Sequence, residues 1–149
     1  LRDGPVVDGE IAAHLRNAHI RPSPRVAEGR ALRGLGVSAA IDISDGLVDD
    51  LGKFCAASGV GADLRADQVP VDDRLKSAFP DDWLSLALSG GEDYELAFTA
   101  PAETVAEAKR MLDATVTAIG QVREGSGVRV LKDDGDEISV GRGGWDHFG

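Results

Sequence analysis

Apolar residues return along much of this chain at helical spacing. The clearest stripe is Leu47, Leu51, Phe54 and Cys55, at i, i+4, i+7 and i+8. It predicts a core-facing helix closed by Ser58-Gly59. Upstream, Ile11 and Leu15 lie four apart between Asp8 and Asn17 and predict a short helix with one apolar side. The prolines of Arg21-Pro22-Ser23-Pro24-Arg25 hold the residues before them extended, so no helix passes through. Val26, Ala27, Ala31, Leu32 and Leu35 then restore helical spacing as far as Gly34 and Gly36.

Short apolar or alternating runs predict the strands. Ser38–Ile43 precedes the long stripe, Gly61–Arg65 follows it, and Tyr94–Thr99 alternates. Between the last two, short helices are expected at Asp72–Ala78 and Asp81–Leu88, with Trp83 in the core beside Leu86 and Ala87. Pro101 opens a helix over Ala102–Ala114, and the β-branched run Val116–Val122 reads as a strand. Asp133-Asp134-Gly135 is a tight-turn signal between Val128–Leu131 and Glu137–Val140. This order predicts an α+β chain of mixed α/β layers over one sheet.

At 149 residues the chain has the size of one domain, and its 42% apolar and 28% charged residues are ordinary for a folded one. No run is long enough for a bilayer span. Its 16 basic and 26 acidic side chains leave a formal charge of −10. The charge is uneven: residues 1–36 carry six Arg against four acids, whereas the remainder nets −12. Such a surface does not suit phosphate-backbone binding, which needs clustered Lys and Arg; it serves solubility, divalent cations, or both. The single Cys55 cannot form an internal disulfide and fits a reducing compartment. Leu1-Arg2-Asp3-Gly4-Pro5, with no Met, basic segment or apolar leader, reads as the start of a piece cut from a longer protein.

Three stretches carry candidate chemistry. Asp42-Ile43-Ser44-Asp45-Gly46-Leu47 sets two carboxylates and a hydroxyl where a strand end becomes a helix start. Ligands favour that edge of α/β sheets, phosphate is drawn to free backbone N–H groups, and Asp42 and Asp45 offer hard oxygen ligands for Mg²⁺. The competing reading is helix capping by Ser44 or Asp45 and nothing more. Asp49 and Asp50 either extend a cation site or are solvated first-turn acids.

The second stretch, Ser89-Gly90-Gly91-Glu92-Asp93-Tyr94-Glu95, follows two glycines with three acids in four positions. It is either a plain turn or a loop of close backbone approach. Its string also resembles the diguanylate cyclase signature, but the upstream acids continue as Gly46-Leu47-Val48 and not as the second motif of those enzymes. The third stretch is Gly141-Arg142-Gly143-Gly144-Trp145-Asp146-His147-Phe148, a glycine-rich tail whose aromatics either stack on a planar ring or anchor the tail in a groove. His14, His19 and His147 lack metal-ligand spacing, and neither a Walker loop nor a Gly-x-Ser-x-Gly elbow is present.

Taken in order, Arg21–Arg25, Asp42–Leu47, Leu88–Leu96, Ile119-Gly120 and Gly143–Phe148 resemble thiamine-monophosphate kinases, within the aminoimidazole ribonucleotide synthetase-related superfamily. The resemblance implies that superfamily's C-terminal, partly ferredoxin-like domain. Residues 1–36 would be a helical lead-in from a missing N-terminal domain, and 37–149 the α/β core and tail. It implies transfer of the ATP γ-phosphoryl group to thiamine monophosphate with Mg²⁺, in thiamine biosynthesis and in a cytoplasmic homodimer. By position, Asp42 and Asp45 would bind Mg²⁺ and Ser44 would touch ATP. Glu92, or the adjacent Asp93, would contact the thiamine phosphate, and Trp145 would line the substrate pocket. Because the family's remaining metal and nucleotide ligands lie in the other domain, the chain alone is expected to lack useful kinase activity. No nucleic acid or membrane partner is implied.

Two other readings stay open. One is another ATP-dependent reaction of the superfamily, of selenophosphate synthetase, hydrogenase-maturation or purine-synthesis type. The other is a non-catalytic module that holds a metal or ligand at the acidic loop.

Overall fold

A computed structural model describes residues 7–138. Helix α1 spans Gly9–Ile20, and Asp8 caps it by accepting from the N–H groups of Glu10 and Ile11. Helix α2 (Val26–Gly34) follows the two prolines. Strand β1 (Ala39–Ile43) runs through a short loop into α3 (Leu47–Ser58), and β2 is Gly61–Arg65. A single 3₁₀ turn at Ala66–Gln68 leads to α4 (Asp73–Ala78) and α5 (Trp83–Ser89). The chain then forms β3 (Glu95–Thr99), α6 (Ala102–Met111), β4 (Gly120–Arg123), β5 (Gly127–Leu131) and β6 (Glu137–Ile138). The α+β class holds.

The strands do not form one sheet. Among the described residues β1 pairs only with β3, antiparallel, with Asp42 opposite Leu96 and Ile43 opposite Glu95. The other four make a second sheet in the order β4-β2-β5-β6, where β2 and β5 are parallel and the remaining pairs antiparallel. Helix α3 joins the two layers, packing against β1, β2, β5 and α5. Its apolar stripe explains this: Leu47 and Leu51 enter one buried cluster with Ile43 from β1, Leu64 and Ala66 from the β2 end, Leu88 from α5 and Val130 from β5. One helix face is thereby dry against both sheets, which is the main apolar gain of the fold.

Several boundaries move. The strand expected at Val116–Val122 begins only at Gly120, where it meets Leu64 of β2; residues before it have no ladder partner, although the Ile119 carbonyl accepts from the Arg65 N–H at 2.7 Å. Helix α6 stops at Met111, and Leu112 is already extended. Met111 is exposed while Ala108 is fully buried, so the small residue carries the contact. Trp83 is half-buried and not core: the Lys76 ammonium lies 5.5 Å from its ring centroid, and Leu88, 1% exposed, takes the interior position. The second hairpin strand is described only as Glu137–Ile138. Among the described residues no helix is long and apolar enough to cross a membrane.

Candidate active site

The site is built where the β1 end and the turn before β3 meet. The Glu92 N–H donates to the Ser44 carbonyl at 2.8 Å, and the Tyr94 N–H donates to the Ile43 carbonyl at 2.8 Å. These bonds continue the β1–β3 ladder past its last residue pair and lay the Gly90-Gly91 loop on the Ser44-Asp45-Gly46 loop. The approach requires glycine: a Cβ on Gly91 would stand 2.7 Å from the Ser44 oxygen, and one on Gly46 would stand 3.1 Å from the Ser89 carbonyl. Glu92 and Tyr94 occupy the left-handed region, at φ 72° and 52°. Such backbone is costly for non-glycine residues and persists where surrounding contacts over-determine it.

Side chains converge on the same spot. The Tyr94 hydroxyl donates to Glu92 Oε2 at 2.9 Å. Its pKa is raised, chiefly by that bond and the charge of Glu92, with smaller contributions from Asp42 and Asp45. The phenol therefore reports three carboxylates around it, one from each of β1, the following loop and the turn before β3. Asp42 and Asp45 are exposed. Asp93, exposed like Glu92, has different neighbours: partial desolvation, then the Glu95 charge, pushes its carboxyl up, and His19 opposes them. The two adjacent acids thus sit in distinct environments.

Helix capping does not account for the motif. Gly46 is the cap residue of α3 and makes no side-chain capping bond, so neither Ser44 nor Asp45 caps the helix. The loop before the helix is held instead by Asp50, which is 2% exposed and no solvated acid. Its Oδ2 reaches back to accept from the Ser44 and Asp45 N–H groups at 2.8 and 2.9 Å. Its Oδ1 accepts from Lys53 Nζ at 2.7 Å. Burial pushes this carboxyl up, but Lys53 and the two N–H groups outweigh it and hold the pKa below the ordinary range. Lys53 also pairs with Asp45, and these two carboxylates raise its own pKa. Asp49 is half-buried beside them.

Lys53 and Tyr94 are the residues that spacing alone passed over, and for Asp50 it missed the buried role. Asp50 was visible in principle, because it falls at i+3 from Leu47 and directly before Leu51, inside the apolar stripe where a carboxylate must find partners. Arg25 has a comparable role. Its guanidinium grips Glu95 through two bonds of 2.9 and 2.7 Å, fixing the Pro22–Arg25 segment to the start of β3. Trp145 and the glycine-rich tail lie outside the described residues.

The donor chemistry suits Mg²⁺, which takes one or two carboxylates and keeps water or phosphate oxygens as its other ligands. Asp42 and Asp45 can supply those carboxylates. Among the described residues no group of three or more His, Cys, Asp or Glu side chains forms a closed metal cage. Asp42 and Asp45 stand exposed at one rim of the tightened loop, whose Ser44 and Asp45 N–H groups are taken by Asp50.

A β1–loop–α3 unit tied to a glycine-acid turn, over an α+β core, is the form this chain gives to the C-terminal domain of AIR synthase-related proteins. The chain belongs to that family: residues 10–133 match the family model described as "AIR synthase related protein, C-terminal domain". Among curated relatives, the thiamine-monophosphate kinase of Escherichia coli K12 is 40% identical over 147 residues, which cover 96% of this chain and 45% of the relative. Among solved structures, thiamine-monophosphate kinase from Stenotrophomonas maltophilia K279a superposes with a TM-score of 0.76 at 40% identity, covering 87% of this chain and 41% of that one. AaThiL complexed with AMPPCP and TMP superposes with a TM-score of 0.77 at 32% identity, over 96% and 44%. The chain spans less than half the length of these relatives.

Proposed function

We propose that this chain is the C-terminal domain of a thiamine-monophosphate kinase, which transfers the γ-phosphoryl group of ATP to thiamine monophosphate and yields thiamine diphosphate. The observation that carries this reading is the pair of backbone bonds from Glu92 to Ser44 and Tyr94 to Ile43, which puts the two acidic motifs against one another. The similarity to AaThiL complexed with AMPPCP and TMP supports the choice of ligands.

In this reading Asp42 and Asp45 hold Mg²⁺, and Ser44 touches ATP at the loop before α3. Glu92 meets the thiamine phosphate, with Asp93 as the neighbouring candidate, and Trp145 lines the pocket. Mg²⁺ held by Asp42 and Asp45 would supply charge neutralisation for two anions brought together. The acceptor is itself a phosphate oxygen and needs little deprotonation, so the residues of this chain act by positioning and by excluding misaligned encounters. Asp50 keeps Ser44 and Asp45 in register, and Tyr94 keeps Glu92 in place.

The remaining ligands belong to a preceding domain and a homodimer partner, so the 149-residue chain alone lacks useful turnover. The pathway is cytoplasmic thiamine biosynthesis. The test is ADP release and thiamine diphosphate formation by the full-length protein with Mg-ATP. Activity with thiamine monophosphate, largely lost in Asp42→Asn, is expected. Activity with an aminoimidazole precursor and none with thiamine monophosphate refutes the assignment, and full activity in Asp42→Asn removes the loop from catalysis.

A further inference from the structure

Lys53 has no part in the proposed reaction, yet it is bound to the loop that carries it. Its ammonium joins Asp45 Oδ2 to the buried Asp50 Oδ1 from two turns along α3. No corresponding cation pairs with Asp42 among the described residues. We propose that Lys53 is a built-in counter-cation of the Asp45 loop, occupying Asp45 until a divalent cation displaces it. The inference rests on reading Asp45 as a cation ligand and adds a competitor for it.

Three features make displacement feasible. The side chains of Lys53 and Asp45 are 55% and 53% exposed, so the ammonium can swing into water without being buried unpaired. Asp50 does not depend on Lys53 alone, because its second oxygen keeps the Ser44 and Asp45 N–H groups. The loop therefore holds its shape when the lysine leaves. The ammonium also sits on the carboxylate that a dication would use, so each must exclude or repel the other. Lys53 would balance the charge of Asp45 in the absence of a dication, and would weaken the cation affinity of the loop by a fixed factor.

The experiment measures Mn²⁺ binding to the full chain by electron paramagnetic resonance, at constant ionic strength, for wild type, Lys53→Met and Lys132→Met. Lys132 lies in the β5–β6 hairpin of the other sheet and controls for net charge. Lys53→Met is expected to bind Mn²⁺ about three- to tenfold more tightly, the size of one nearby unit charge in a solvated site, and Lys132→Met within about twofold of wild type. Equal or weaker binding by Lys53→Met overturns the proposal while leaving the metal reading intact. Absence of Mn²⁺ binding in all three overturns both. Because Lys53→Met also removes a contact to Asp50, the wild-type chain provides a second measurement. Saturating Mg²⁺ should move the Lys53 side-chain amine resonance away from its metal-free position and toward that of metal-free Asp45→Asn, in which Asp50 alone holds the ammonium; an unmoved resonance overturns the proposal.

Discussion

The Glu92 N–H and the Ser44 carbonyl are 2.8 Å apart, so two motifs separated by almost fifty residues share one backbone hydrogen bond. That bond needs the bare Cα of Gly91 beneath it. Gly91→Ala places a methyl group 2.7 Å from the Ser44 oxygen, and since the neighbour is backbone, one loop must move. The expected cost is about 1–3 kcal/mol by urea denaturation, as for other overpacked sites. In the full-length protein, activity should fall by more than the lost stability explains. An unchanged melting temperature and activity would show that the two loops do not depend on each other.

Asp50 is expected to matter more than its exposed neighbours. Asp50→Ala leaves the Ser44 and Asp45 N–H groups without their acceptor and costs about 2–4 kcal/mol, within the range for a broken buried polar network. Asp50→Asn retains one acceptor oxygen and should recover part of this. Denaturant titration of the two variants checks the order, and an alanine variant as stable as wild type contradicts the role given to this carboxylate.

The acid sensitivity of the second sheet is expected to centre on Asp63. The Arg129 hydrogen bonds, at 2.8 and 2.7 Å, and then Arg123 hold this carboxyl below the ordinary carboxylate range, although its side chain is 12% exposed. Its folded pKa is below its unfolded value near about 3.9, so the stability it contributes is fully present above that value. It is lost as pH falls through the folded pKa. Asp63→Asn should therefore lower the melting temperature at pH 7 and narrow the gap to wild type near pH 2. A gap that is constant over this interval refutes the ionic role.

Tyr94→Phe removes only the 2.9 Å bond to Glu92. Its stability cost should stay at or below about 1 kcal/mol, typical of a solvent-accessible hydrogen bond. If Glu92 meets the acceptor, KM for thiamine monophosphate should rise several-fold in the full-length enzyme, with a smaller change in kcat. A kcat loss at unchanged KM would place Tyr94 elsewhere in the mechanism.

Most elements were legible before any coordinates. The α3 stripe, the β2 strand and the proline break before α2 depend on neighbours within about ten residues, where helical spacing and proline geometry act directly. The candidate acids of the two motifs were also legible, because glycine beside clustered carboxylates has few uses in a chain of this composition. The partition of strands was not legible, and neither was the start of β4: a β-branched run such as Val116–Ile119 becomes strand only where a partner lies beside it. Trp83 was misplaced for a similar reason, since helical spacing says which residues share a face and not how deeply that face is buried.

By itself, then, the sequence determined the local elements, the acidic loops and the family resemblance, all of which are written in short-range pattern and residue chemistry. Only the tertiary structure decided that β1 and β3 stand apart as their own sheet, that Asp50 and not Ser44 or Asp45 secures the loop, and that Lys53 sits on Asp45. These are outcomes of long-range contact. A buried carboxylate takes whichever donors the fold brings within about 3 Å, and no spacing along the chain specifies which those are.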